Sequence, residues 1–206
     1  MATDLRNTFI LGLLFLGLFG IGELLYHKLH VKAEITRKFV HAVTGLLTLL
    51  FPIMIDNRWL VLLLCAGFMT ILVVSIRFNF IKSINAIDRK SYGAVTYPIA
   101  VFGCYLAYEY AGNDLAYYYL PILTLAFCDP LAAIFGRTWP YGRIRNKTIV
   151  GSSAFFASAF MLALVMHRSI VSALLIAFVS TIAEAITPHG LDNLTIPASV
   201  LLVLFL

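Results

Sequence analysis

The sequence predicts an all-α, polytopic integral membrane protein, with seven or eight transmembrane helices in one bundle. Three observations lead there. Twelve of the fifteen Lys and Arg residues fall in three short segments. These are Lys28, Lys32, Arg37 and Lys38, then Arg77, Lys82, Arg89 and Lys90, then Arg137, Arg143, Arg145 and Lys147. The segments alternate with apolar stretches, as they do when basic loops stay on one side of a bilayer. The chain is also 61% hydrophobic and only 12% charged, with mean hydropathy +0.93, well beyond a soluble domain of about 45–50% apolar residues. Finally, the apolar runs have the right length, since about 20 residues cross the hydrocarbon core.

Taken in order, the expected spans are Thr8–Tyr26, Phe39–Ile55, Trp59–Ile76, Ala94–Tyr110, Leu115–Phe135, Ser153–His167, Ser169–Ile186 and Leu194–Leu206. The first is too long for the apolar core of a signal peptide and no A-x-A site follows it, so it reads as a retained span. The last is short and leaves the count between seven and eight. With eight, all basic segments face the cytoplasm and both termini face out. The outer loops at Asp56–Arg58, Glu109–Asp114 and His167–Arg168 are short, and Tyr117, Tyr118 and Tyr119 beside one of them are expected to form an interfacial aromatic belt. Cys65, Cys104 and Cys128 lie in apolar stretches without metal-ligand or redox spacing, so they are expected to be buried thiols. No repeat or linker divides the 206 residues, which are read as a single transmembrane domain. The net charge of +5 is loop bias, pointing to anionic partners and membrane lipids rather than nucleic acid.

The polar groups gather on the basic side. Glu34, Arg37 and His41 recur at helical spacing with Lys38 beside them, and Thr44 and Thr48 continue that face into the membrane. They suit an anion site at the membrane surface, although a juxtamembrane ion pair would use the same residues. Asp129 lies fourteen positions after Leu115 in a span. An intramembrane carboxylate costs roughly 2.5–3.5 kcal/mol on insertion scales and is a functional candidate for that reason. Ala132 and Gly136 leave its face bare enough for a ligand. The alternative is a carboxylate neutralised by a neighbouring cation to hold the bundle together.

Beyond Gly136, a Gly- and Pro-rich basic loop leads to Lys147, Thr148, Gly151, Ser152 and Ser153. Small and hydroxyl residues opening a helix behind cations suit phosphate, without the spacing of a P-loop. Asp88 to Pro98 is a second polar entry into a span. Glu184, Asp192 and Asn193, around the helix-breaking Pro188 and Gly190, are oxygen donors suited to Mg2+; a capped turn is the plainer reading.

Glu34-x-x-Arg37-Lys38-x-x-His41, Arg89-x-Ser91-Tyr92-Gly93 with Tyr97-Pro98, Asp129-Pro130-x-Ala132-x-x-x-Gly136-Arg137, Lys147-Thr148-x-x-Gly151-Ser152, and Glu184 with Gly190-Leu191-Asp192-Asn193-Leu194-Thr195-x-Pro197 occur in that order. This set, over about residues 30–200, resembles the polyprenol kinase family of phytol, farnesol and dolichol kinases and the CTP-dependent diacylglycerol kinase. It is more distantly similar to phosphatidate cytidylyltransferases. The resemblance implies CTP as phosphoryl donor, a divalent metal such as Mg2+, and a lipid alcohol as acceptor. The shortness of the chain favours phytol or a shorter prenol over dolichol. In that framework Asp129, Lys147 and His41 are the expected catalytic residues. Arg37, Lys38, Arg89, Gly136, Arg137, Gly151 and Ser152 would bind nucleotide and phosphate, and Asp129, Glu184, Asp192 and Asn193 would hold the metal. The expected setting is a multi-pass protein of a bacterial or archaeal plasma membrane with its active site facing the cytoplasm. Two other readings use the same residues: a cytidylyltransferase that forms a CDP-lipid and releases pyrophosphate, and a small anion or lipid transporter. A transporter would be expected to carry an inverted repeat and midplane polar sites, and neither is visible.

Overall fold

A computed structural model describes residues 1–78, 80–85, 92–145, 147–188 and 190–206. Arg89, Ser91 and Asp88 therefore lie outside the described residues, as does Asn146. The described chain is helical. Its elements are α1 (Ala2–His27), α2 (Ala33–Thr48), α3 (Phe51–Met54), α4 (Arg58–Phe78), α5 (Lys82–Asn85), α6 (Gly93–Tyr110), α7 (Ala116–Leu123), a π-helical stretch (Thr124–Cys128), α8 (Asp129–Thr138), α9 (Ile149–Val165), α10 (Ile170–Ile186) and α11 (Asp192–Leu204). The only β pairing among the described residues is the isolated bridge between Ile144 and Lys147.

Four helical segments are long and apolar enough to cross a membrane: Ala2–His27, Ala33–Met54, Arg58–Phe78 and Ala116–Thr138. The helices α9, α10 and α11 are apolar but shorter. The outer surface is apolar too, with Leu13, Leu63, Leu174 and Phe178 all exposed. A large exposed apolar surface is what a bilayer covers.

The interior is built from tight approaches. A Cβ on Gly45 would run into the Cβ of Ala126, so glycine there lets α2 lie against the π-helical stretch. Gly136 and Gly151 face each other where α8 crosses α9; a Cβ on Gly151 would stand 2.9 Å from the Ala132 carbonyl oxygen. Small residues at such crossings allow close backbone packing in membranes. Tyr105 and Tyr118 fill the centre of the core at 1% and 0% exposure. Tyr118 thus does not belong to an interfacial belt. Its hydroxyl donates to the Thr48 carbonyl at 2.8 Å, one of the oxygens left without a helical partner where α2 ends. Tyr117 donates to the Leu204 carbonyl at 2.8 Å and ties α7 to the end of α11. All three cysteines are free and buried, in line with the sequence.

The π-helical stretch was not foreseen. Pro130 explains part of it, because proline has no N–H to donate. In the five-residue π register the partner of the Leu125 carbonyl would be the nitrogen of Pro130. His41 Nε2 lies 3.4 Å from that oxygen instead. Single-turn π insertions are frequent at functional sites, and this one delivers Asp129 as the first residue of α8.

Candidate functional site

Four segments that are far apart in sequence meet at the basic end of the bundle. They are the entry into α2, the helix α8, the loop before α9, and the end of α10 with the start of α11. Between them lies a cavity of about 460 Å³, within the usual range of ligand sites at roughly 300–1,000 Å³. Arg37, Lys38, His41, Asp129, Gly136, Arg137, Lys147, Gly151, Glu184, Asp192 and Asn193 all line it. Apart from Arg89 and Ser152, every residue expected from the sequence to serve the site stands on this one wall.

At the centre is Lys147. Its Nζ is 2.6 Å from Glu184 Oε1, 3.5 Å from Asp192 Oδ2 and 3.8 Å from Asp129 Oδ1. Glu184 is only 2% exposed. Its other oxygen accepts a hydrogen bond of 3.3 Å from the Ser152 hydroxyl. A buried carboxylate persists only when paired and hydrogen-bonded, and both conditions are met. Burial alone would lower the Lys147 pKa, but the carboxylates of Asp129, Glu184 and Asp192 outweigh it and raise it above the ordinary value. The ammonium is therefore charged throughout the neutral range.

Local structure holds Lys147 in place. The Ile144 amide donates to the Lys147 carbonyl at 3.0 Å, and the Lys147 amide returns a bond of 2.9 Å. Arg145, at φ 55°, sends Nη1 to the Ile186 carbonyl at 3.1 Å, a cation at the negative end of α10. Thr148 then caps α9, its hydroxyl oxygen accepting from the Gly151 amide at 3.0 Å. The segment around Asp192 carries no Lys or Arg of its own; Arg145 and Lys147 reach Ile186 and Asp192 from the basic loop before α9.

Several expected roles look different in three dimensions. The Gly151 amide is engaged by Thr148, and the Ser152 amide by the Thr148 carbonyl at 3.0 Å. These donors serve the protein itself, and Gly136 and Gly151 act as the crossing point of α8 and α9. Ser152 supports Glu184. Arg137 pairs with Glu34, joining the end of α8 to the start of α2. The Asn193 side-chain nitrogen donates to the Gly93 carbonyl at 2.9 Å, and Thr96 donates to the Gly190 carbonyl at 3.0 Å. Together these fasten α11 to α6 and leave Asn193 Oδ1 as its atom for a ligand. His41 packs edge-on against Tyr97 with ring centres 4.9 Å apart. A ring N–H at Nε2 donates to Leu125 and leaves Nδ1 as an acceptor.

Among the described residues, no three His, Cys, Asp or Glu side chains are disposed to hold a metal ion by themselves. Lys147 takes the middle of the acidic group. Oxygen donors suited to a hard cation are nonetheless present beside it, in Asp129 and Asp192.

One feature the sequence reading missed is a second, apolar cavity of about 100 Å³ on the other side of His41. Its walls come from α1, α2, α4 and α6, and Arg37, His41 and Asn193 line both spaces. Apolar residues facing a cavity and those facing a neighbouring helix have the same periodicity, so no signal in the sequence separates them.

The chain is similar to phytol kinase from Synechocystis sp. (strain ATCC 27184 / PCC 6803 / Kazusa). The two are 26% identical over 187 residues, an alignment covering 85% of this chain and 80% of the other. This similarity supports a relationship to the polyprenol and phytol kinases. No protein-family profile matches the chain. No solved structure matches it either.

Proposed function

We propose that this protein is a membrane-embedded lipid-alcohol kinase that uses the Asp129–Lys147–Glu184–Asp192 cavity to bind a nucleotide, with CTP as the phosphoryl donor and a prenol such as phytol, farnesol or geranylgeraniol as the acceptor. The observation that carries this reading is the convergence of four separated polar motifs on one cavity that adjoins an apolar one. The family relationship supports the kinase class. The choice of CTP rests on the motif resemblance alone. Eight helical passes complete the bundle in this reading, with α6, α9, α10 and α11 joining the four longer spans. The basic end faces the cytoplasm by the positive-inside rule.

Phosphoryl transfer asks the protein mainly to position the reactants and stabilise charge. Arg37, Lys38 and Arg137 at the cavity wall attract the polyphosphate. Lys147, already held by three acids, presents a fixed positive charge to the transferring group. The acceptor hydroxyl oxygen forms the new bond to the γ-phosphorus while the bond from that phosphorus to the β–γ bridging oxygen breaks. The hydroxyl proton passes to the Asp129 carboxylate, and the nucleoside diphosphate leaves. His41 orients the acceptor hydroxyl at the boundary between the cavities. A divalent ion bound together with the nucleotide would be held by Asp129 and Asp192 with Asn193 Oδ1, because Mg2+ keeps several waters and takes one or two carboxylates plus phosphates. Such an ion, when bound, neutralises phosphate charge.

The test is product analysis with purified protein, CTP, Mg2+ and a panel of lipid alcohols and phosphatidate. CDP and a prenyl monophosphate in equal amounts support the kinase. Pyrophosphate with a CDP-lipid would replace it with a cytidylyltransferase.

A further inference from the structure

The apolar cavity adjoins the polar one through the three residues the two share, Arg37, His41 and Asn193. From that neck it runs inward along α2 and the turn that follows it to Phe51, the first residue of α3. Ten residues separate His41 from Phe51, which is about 15 Å at the helical rise of ~1.5 Å per residue. Its deep walls are Phe15 of α1, Leu64, Cys65 and Phe68 of α4, and Val101 of α6. The surrounding helices could have closed on one another, as they do elsewhere in the core, yet a space remains. Thr44 stands one turn deeper than His41. Its hydroxyl oxygen is buried and has no hydrogen-bond partner. Unsatisfied buried hydroxyls are uncommon because they lose their water without compensation.

We infer that this cavity receives the hydrocarbon chain of the acceptor alcohol. The chain lies between α1, α2, α4 and α6, and its hydroxyl end sits beside His41 and Thr44 at the inner side of the neck, toward Asp129. This rests on the kinase reading for the identity of the occupant, and goes beyond it in placing the chain inside the bundle rather than along the outer surface. The alternative source of the same chemistry is an ordinary bilayer lipid whose tail fills the space. Thr44 favours a chain that ends in a hydroxyl: its own hydroxyl lacks a partner and can donate to the alcohol oxygen, which leaves the alcohol proton for Asp129.

The test uses a prenol carrying a diazirine at the chain end away from the hydroxyl. It is irradiated with the full-length protein in phosphatidylcholine nanodiscs, and the adducts are mapped by peptide mass spectrometry. Adducts at Phe15, Leu64, Cys65 and Phe68, suppressed by unlabelled prenol, are expected. Adducts confined to outward-facing Leu13, Leu63 or Phe178 would overturn the inference. So would labelling of the inner residues that prenol fails to suppress, since that is the behaviour of a bulk lipid tail. In parallel, Val101→Phe is measured with alcohols of short and long chain. The ratio of kcat/KM for the long to the short alcohol should fall at least tenfold, and an unchanged ratio would count against the cavity. Should the wild-type protein phosphorylate no alcohol at all, the kinase reading fails, and the labelling pattern still decides where the chain binds.

Discussion

Replacing Lys147 by methionine removes the cation but keeps most of the side chain's volume. Glu184, at 2% exposure, would lose a partner 2.6 Å away and keep only the Ser152 hydroxyl. Removing one member of a buried ion pair costs roughly 3–5 kcal/mol, because the remaining charge stays buried. The contacts to Asp192 and Asp129, at 3.5 and 3.8 Å and on groups 17% and 22% exposed, add less because water screens them. For a chain of this size each kcal/mol is worth about 2–4 °C in Tm, so Tm should drop on the order of 10 °C. The double variant K147M/E184Q turns the pair into two neutral groups of similar shape. It should return to within about 1 kcal/mol of wild type. The three buried cysteines supply the assay: a thiol-reactive dye in detergent reports their exposure as the protein unfolds. Both variants should be inactive, which separates the cation's part in catalysis from its part in folding. Purely additive losses in the double variant would refute the argument that Lys147 neutralises Glu184.

Three further outcomes follow from the same geometry. Gly136→Ala should destabilise by about 1–3 kcal/mol through overpacking, since its Cβ would stand 2.6 Å from Thr148 Oγ1; adding Thr148→Ala removes that atom, so the second substitution should cost less in the Gly136→Ala background than alone, as thermal unfolding can show. The Lys147 pKa is raised on folding, so its contribution to stability is complete below the ordinary lysine value of 10.5 and is lost only as pH rises through the higher folded value. The Tm gap between wild type and Lys147→Met should therefore hold from neutrality to that value and close above it. A chelator should stop turnover yet leave the Tm of the nucleotide-free protein unchanged, because no described acidic group holds a metal by itself; a lowered Tm would point to a resident ion.

Much of the site was legible in the sequence because each polar residue in an apolar span is expensive and therefore conspicuous. Asp129 and Glu184 stood out as carboxylates inside apolar spans and Lys147 and Asp192 as members of motifs in the adjoining loops, and the structure brings the three acids within reach of the Lys147 ammonium group. What periodicity could not convey was which of them touch. Lys147 is carried to the acids by a loop whose geometry depends on the Ile144–Lys147 bridge. The π-helical stretch was invisible because helical-face arguments assume a constant 3.6-residue turn, and one inserted residue rotates everything before Asp129. Tyr118 was misplaced because a tyrosine near an outer loop suits an interface or a core equally well, and the open carbonyl of Thr48 decided for the core. The four longest spans stand out by length and hydropathy, whereas α9, α10 and α11 fall short of the usual crossing length, so composition alone does not count the passes.

The account turns on Asp129 acting in phosphoryl transfer to a lipid alcohol. The most direct measurement is turnover of CTP and phytol by purified wild type and Asp129→Asn, with CDP, pyrophosphate and phytyl phosphate quantified together. Wild type should form CDP and phytyl phosphate one for one, and the variant, equally well expressed and folded, should form neither. Near wild-type turnover in Asp129→Asn, or pyrophosphate release by the wild type, would contradict it.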